Sequence, residues 1–126
     1  MKVLIVEDNA QMRDLIKRFL RGLADDTAEC GDGQLALAAY TQHLPDWLLM
    51  DLVSAEVDGL AVTKQIRAYY PEARIVILAH CDDSDLRAAA KAAGACGFVV
   101  QSDLSALRHV LSQSVEPDKQ DQTSKK

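Results

Sequence analysis

Cationic residues are in the minority, with 14 Lys and Arg against 19 Asp and Glu and a formal charge of −5 over 126 residues. Non-specific binding to nucleic acid or to an anionic membrane needs a basic surface. Direct contact with either is therefore not expected. Cysteine is scarce. Cys30, Cys81 and Cys96 show neither CxxC spacing nor a histidine at zinc-finger distance, which argues against a disulfide scaffold or a structural zinc and fits reduced thiols in a cytosolic protein. Ordinary buried thiols are expected at Cys81 and Cys96. No apolar run approaches the ~18–20 residues that span a bilayer. The opening stretch Val3-Leu4-Ile5-Val6 meets acids at once and is too short for a signal peptide, so a cytoplasmic location is expected.

What is present is ordinary for a folded domain: 48% hydrophobic and 26% charged residues. A chain of this size buries roughly two-thirds of the surface its unfolded form exposes, enough for a core without staples. Short apolar runs alternate with longer helical patterns. The runs are Val3-Leu4-Ile5-Val6, Trp47-Leu48-Leu49-Met50, Ile75-Val76-Ile77-Leu78-Ala79 and Phe98-Val99-Val100, with the more polar Thr27-Ala28-Glu29-Cys30 as an edge candidate. Near-continuous apolarity marks strands covered on both faces. Between them, Met12, Leu15, Ile16, Phe19, Leu20 and Leu23 keep helical spacing, with Gly22 placed to end that helix. Further helices are predicted from Gln34 to His43, from Gly59 to Tyr70 before Pro71, from Asp83 or Ser84 to Gly94, and over Leu104 to Leu111 with Ser102 or Asp103 as cap. The sequence thus predicts an α/β fold, a doubly wound parallel sheet of five strands with five helices over residues 1–115. Residues 116–126 lose all periodicity and read as a disordered polar tail or linker.

Open α/β sheets bind ligands beyond the carboxyl ends of their strands, where the strand order switches. Counting the edge candidate as the second strand, Glu7 and Asp8 follow the first strand and Asp51 follows the third. For a strand order 2-1-3-4-5 these strands are neighbours, and three carboxylates converge. An acid after a strand also serves to cap a helix, but three at one edge favour a site. Two carboxylates ~4 Å apart repel by about 4 kcal/mol at an effective dielectric near 20. That is roughly 3 pKa units, enough to hold one of them protonated near neutrality. A hard divalent cation, Mg²⁺ or Mn²⁺, relieves the repulsion with oxygen ligands. Beside such a cation the fixed carboxylate of Asp51 can act as a nucleophile toward phosphorus.

With these residues placed, the sequence resembles the receiver domain of bacterial two-component response regulators, a flavodoxin-like fold. The resemblance is carried by Val3-Leu4-Ile5-Val6-Glu7-Asp8-Asn9, Cys30-Gly31-Asp32-Gly33, Met50-Asp51-Leu52, Asp58-Gly59 and Gly94-Ala95-Cys96-Gly97-Phe98, and covers about residues 2–114. It implies that Asp51 accepts a phosphoryl group from a sensor histidine kinase or phosphotransfer protein. It also implies that Glu7, Asp8, Asp51 and the backbone carbonyl of Val53 hold Mg²⁺. A downstream effector or attached output domain, or a second copy of the chain, would dock on the side formed by Leu86 to Phe98 and Leu104 to Leu111.

The departures fall at the positions that bind and report the phosphoryl group. Ala79 stands where the family usually has Thr or Ser, and His80 where a small residue is usual. Gln101 replaces Lys, Ser102 replaces Pro, and Ser54-Ala55 replaces Met-Pro. Phe98 keeps the position of the switch ring. Three readings follow. The first is a receiver that takes phosphate weakly or without the usual switch; it is not an enzyme beyond its own phosphorylation and dephosphorylation. The second is a phosphorylation-independent binding module. The third is a small Mg²⁺-dependent phosphatase, for which no substrate lid or second general acid is evident. Trp47, which begins the strand ending at Asp51, is expected to serve as a fluorescent reporter of the site.

Overall fold

The computed structural model describes residues 1–52 and 58–113. Its strands are β1 (Lys2–Val6), β2 (Asp26–Cys30), β3 (Trp47–Asp51), β4 (Ile75–Ala79) and β5 (Gly97–Val100). They form one parallel sheet in the order β2-β1-β3-β4-β5. Alternating with them are α1 (Ala10–Phe19), α2 (Ala36–His43), α3 (Gly59–Tyr69), α4 (Ser84–Ala93) and α5 (Ala106–Gln113). The expected five-stranded, doubly wound α/β architecture is therefore present. Among the described residues no helix is long and apolar enough to cross a membrane. The expectations for Val53, for Ser54-Ala55 and for the tail 116–126 lie outside the described residues.

Strand alternation divides the core in two. Val3, Ile5, Trp47, Leu49, Val76, Leu78 and Val99 face Ile16 and Leu20 around α1 and Leu107 and Leu111 of α5. Leu4, Val6, Leu48, Met50, Ile75 and Ile77 face Ala36 and Tyr40 of α2, Ile66 of α3 and Ala90 of α4. All five residues of β3 and of β4 are buried, whereas edge strand β2 buries only Cys30. This explains why the central strands read as unbroken apolar runs and the edge strand does not.

Helix ends follow local chemistry. The Asn9 side chain accepts from the Met12 N–H at 2.9 Å and starts α1, and Asp58 accepts from Leu60 and Ala61 to start α3. Asp83 caps α4 through the Asp85 N–H at 2.9 Å. Tyr70, restricted by the ring of Pro71, leaves the helical region at φ −129° and ψ 83° and ends α3. Gly94 closes α4 at φ 108°, a backbone region that L side chains rarely adopt. A Cβ there would also lie 2.9 Å from the Arg67 side chain. Gly94→Ala is accordingly expected to destabilise the fold by about 1–2 kcal/mol, read as a lower midpoint in urea denaturation with an unchanged slope.

Three sequence expectations need correction. Helix α1 ends at Phe19 rather than at Gly22; Gly22 does take the expected left-handed conformation, at φ 84°, but inside a following turn in which Leu20 O accepts the N–H groups of Leu23 and Ala24. That turn keeps Leu20 buried, so the apolar pattern outlasts the helix. Ser102 and Asp103 do not cap α5. They lie in a 3₁₀ turn, Gln101–Asp103, that leaves the sheet directly after β5, and α5 begins at Ala106. Cys81 and Cys96 are exposed, since both sit in loops flanking α4; only Cys30 is buried.

Candidate functional site

The sheet register builds the site. Strand β1 pairs with β3 so that Val3 opposes Trp47 and Val6 opposes Met50. One step further along each chain come Glu7 and Asp51, on neighbouring strands and on the face of the Val3/Ile5 and Trp47/Leu49 rows. The ladder continues past the strand ends, with Glu7 N–H donating to Cys30 O at 3.0 Å and Leu52 N–H to Leu78 O at 3.0 Å. Gly59 lets α3 start close under β3. A Cβ at that position would come within 2.6 Å of Leu52 Cδ2 and 3.3 Å of the Asp51 carbonyl oxygen.

Glu7, Asp8 and Asp51 each offer a carboxylate oxygen, and these oxygens all lie within 4.8 Å of one another. Glu7 and Asp51 are buried and Asp8 is exposed. Glu7 Oε2 accepts the Asn9 N–H at 3.1 Å. Glu7 Oε1 is buried without a hydrogen-bond partner among the described residues. Burial, and then the adjacent Asp51 carboxyl, push the Glu7 pKa from 4.5 up to about 8. Sequence reasoning reached a comparable shift from repulsion alone, whereas desolvation is the larger cause. A buried acid with an unsatisfied oxygen beside two more carboxylates is a donor set suited to a hard divalent cation.

The three acids open into a cleft of about 440 Å³ whose walls include Met12, Leu15, His80 and Gln101. Gln101 turns back across the sheet edge, and its Nε2 donates to Asp51 Oδ1 at 2.9 Å. Among the described residues, no lysine or arginine lines this cleft. Arg13, the nearest candidate by sequence, is committed elsewhere: its Nη1 donates to the Glu7 carbonyl at 2.7 Å and its Nε to Glu29 Oε1 at 2.8 Å.

The remaining predicted positions separate into two groups. His80 is exposed at the rim of the acid cleft. Ala79, fully buried, continues the row of Ile77 on the opposite face of the sheet, the face on which Phe98 packs. The Phe98 ring is half-buried, with the Arg87 guanidinium 4.6 Å from its centroid. Arg87 also pairs with Asp82 at 2.6 Å, tying the ring to the loop after β4. Trp47 does not belong to the site. It lies at the other end of β3, four residues or ~13 Å from Asp51, buried under Arg74.

Sequence reasoning overlooked Asn9 as a donor to Glu7 and Arg13 as the clamp on the Glu7 carbonyl. The first had a legible signal, an Asn directly before an apolar helical pattern. It also overlooked Met12 and Leu15 as walls of the cleft, because helical spacing assigned both to the core.

Comparison with known proteins agrees with this geometry. Over 101 residues the chain is 34% identical to chemotaxis protein CheY of Bacillus subtilis, covering 79% of this chain and 84% of that protein. It is 33% identical over 85 residues to the DNA-binding response regulator MtrA of Mycolicibacterium paratuberculosis, covering 68% of this chain but 38% of MtrA. The chain therefore spans little more than a third of that relative. The receiver domain of the histidine kinase CKI1 from Arabidopsis thaliana, solved in complex with Mg²⁺, matches with a TM-score of 0.77 at 25% identity, over 89% of this chain and 90% of that one. The model of the response regulator receiver domain matches residues 3–112, and the chain belongs to that family.

Proposed function

We propose that this chain is a phosphoacceptor in two-component signalling, taking a phosphoryl group on Asp51 from a phosphohistidine of a sensor kinase or phosphotransfer protein. The observation that carries this reading is the convergence of Glu7, Asp8 and Asp51, with ligand oxygens within 4.8 Å, around a buried Glu7 oxygen that lacks a partner among the described residues. These three residues would hold Mg²⁺ or Mn²⁺, as the resemblance implies together with the Val53 carbonyl. When bound, the cation supplies positive charge against the phosphoryl oxygens.

The chain's own residues do the rest. Burial in the row above Trp47 and Leu49 fixes the Asp51 carboxylate at the strand end. Gln101 orients it through Oδ1. A carboxylate oxygen of Asp51 forms the new O–P bond as the P–N bond breaks, and the electron pair leaves on the donor's imidazole. Ala79 offers no hydroxyl and Gln101 no charge to the transferred group, so transfer is slow and the conformational response atypical. Reporting then falls to protein contacts on the side formed by α4, β5 and α5, where an effector, an attached output domain or a second copy would dock. No catalytic turnover of a substrate, direct nucleic-acid contact or membrane attachment is assigned to it, and its place of action is the cytoplasm.

Incubation with acetyl phosphate and Mg²⁺ is expected to add one phosphoryl group per chain by intact mass, slowly. Asp51→Asn should remove the modification altogether. Modification that persists in that variant would overturn the assignment. The second reading, a module that docks without phosphorylation, is favoured by Ala79 lacking the hydroxyl that would respond. It predicts that Asp51→Asn leaves signalling in cells intact.

A further inference from the structure

We infer that Gln101 is a specificity-determining residue that tunes the cleft toward the divalent cation and away from the phosphoryl anion. The inference rests on the proposed phosphoacceptor site and concerns this chain's own substitution. Gln101 Nε2 lies 2.9 Å from Asp51 Oδ1, so the carboxylate is held by a neutral donor. Among the described residues the cleft holds three carboxyl groups and no lysine or arginine, and Arg13 is turned to the Glu7 backbone and Glu29. His80 stands at the rim in contact with solvent. Glu7 is 4% exposed and has a buried oxygen without a partner among the described residues. Among the described residues, then, the charge in the cleft comes from the acids.

Position matters because the amide already touches the Asp51 carboxylate. An ammonium in its place would stand within ~6 Å of any cation held by that carboxylate. A unit positive charge at that distance from a doubly charged ion lowers its affinity about tenfold even at the dielectric of water, and more in a half-buried cleft. The same ammonium would strengthen binding of a phosphoryl oxyanion through a charge-assisted hydrogen bond. Glutamine gives up the second interaction and keeps the first at full strength. The cation-bound, unmodified chain thus becomes the dominant form wherever divalent cation is available.

The test is the affinity of the full chain for Mn²⁺, read by the loss of the free-ion paramagnetic resonance signal and by Mg²⁺ competition, in three proteins. These are the wild type, Gln101→Lys, and Gln101→Met, which keeps length without charge or donor. Gln101→Lys is expected to weaken Mn²⁺ binding at least tenfold, with the difference shrinking as salt is added. Gln101→Met should stay within about threefold of wild type. In saturating Mg²⁺, Gln101→Lys should bind beryllofluoride, a phosphoryl mimic, more tightly than wild type. Equal Mn²⁺ affinity in wild type and Gln101→Lys overturns the inference and leaves the phosphoacceptor reading standing. So does a Met variant weakened as much as the Lys variant, which would make shape rather than charge the determinant. A wild-type chain that binds neither Mn²⁺ nor Mg²⁺ overturns both.

Discussion

Raising the pH from about 5 to about 9 without divalent cation is expected to lower the stability of this chain by roughly 2–4 kcal/mol, and Mg²⁺ should remove most of that loss. The main group responsible is Glu7, with the N-terminal ammonium, held above its usual range by Asp25, acting in the same direction only at the alkaline end. The Glu7 pKa rises from 4.5 in the unfolded chain to about 8 in the fold, first through burial and then through the neighbouring Asp51 carboxyl. The folded state therefore holds a proton that the unfolded state releases. Below pH 4.5 both states are protonated and the contribution is complete; it declines as pH rises from there and is gone above about 8. At ~1.4 kcal/mol per unit, that interval corresponds to an upper bound of about 4–5 kcal/mol. The expected loss is smaller because the cleft is open to water at the exposed Asp8. Asp25, Glu29 and Asp82, whose cationic partners hold their carboxyl groups below the usual range, act in the opposite direction only on the acid side of this window.

A cation with oxygen ligands changes the sign of the problem, since it needs Glu7 ionised. Mg²⁺ binding should then release a proton near neutrality and weaken as pH falls. It should also add stability in proportion to the logarithm of its concentration over Kd. Urea denaturation across this pH range, with chelator and with excess Mg²⁺, measures both effects. A chelated protein whose stability climbs between about pH 5 and about pH 9 would contradict a proton held on the buried Glu7.

The parts of this molecule that sequence made legible are those governed by one-dimensional rules. Strands β3 and β4 are buried on both faces, so Trp47–Met50 and Ile75–Ala79 stand out as apolar runs. Asp58, Asp83 and Gly94 mark helix ends with short-range chemistry that a few residues specify. The placing of Glu7 beside Asp51 needed one further element, the pairing of β1 with β3, which strand order 2-1-3-4-5 supplies.

What remained illegible depends on long-range contact. Gln101 reaches Asp51 across 50 positions of chain, and its residue type gave only the capacity to donate. That desolvation outweighs repulsion at Glu7 follows from burial, which adjacency in sequence does not report. Trp47 shares a strand with Asp51 without lying beside it, because a strand carries its ends ~13 Å apart over four residues. The turn at Leu20 preserved the apolar spacing past the end of α1, so periodicity overstated the helix.

The second large effect concerns rate. Ala79→Ser combined with Gln101→Lys is expected to accelerate phosphorylation of Asp51 by acetyl phosphate about 10²-fold or more at saturating Mg²⁺. The cleft now presents to a phosphoryl group the neutral Gln101 amide, already engaged with Asp51 Oδ1, while Ala79, at the end of β4 on the other face of the sheet, supplies no hydroxyl to reach round the strand end. One preorganised donor at a developing negative charge contributes about 10²–10³ in rate. A charge-assisted hydrogen bond contributes about 1.5–3 kcal/mol, which brings the effect of the lysine into the same range. The two effects act on one transferred group, so they should fall short of their product. Serine is chosen over threonine because Ala79 is fully buried and a single added oxygen crowds it least. Saturating Mg²⁺ is required because a lysine at position 101 weakens the cation while it strengthens the anion. The time course of intact mass gives the rate directly, with Asp51→Asn in the same background as the blank. If the double variant is no faster than wild type, then positions 79 and 101 do not limit transfer. The rim of the cleft would then be the place to look, where His80 is exposed, and His80→Ala should supply the acceleration instead.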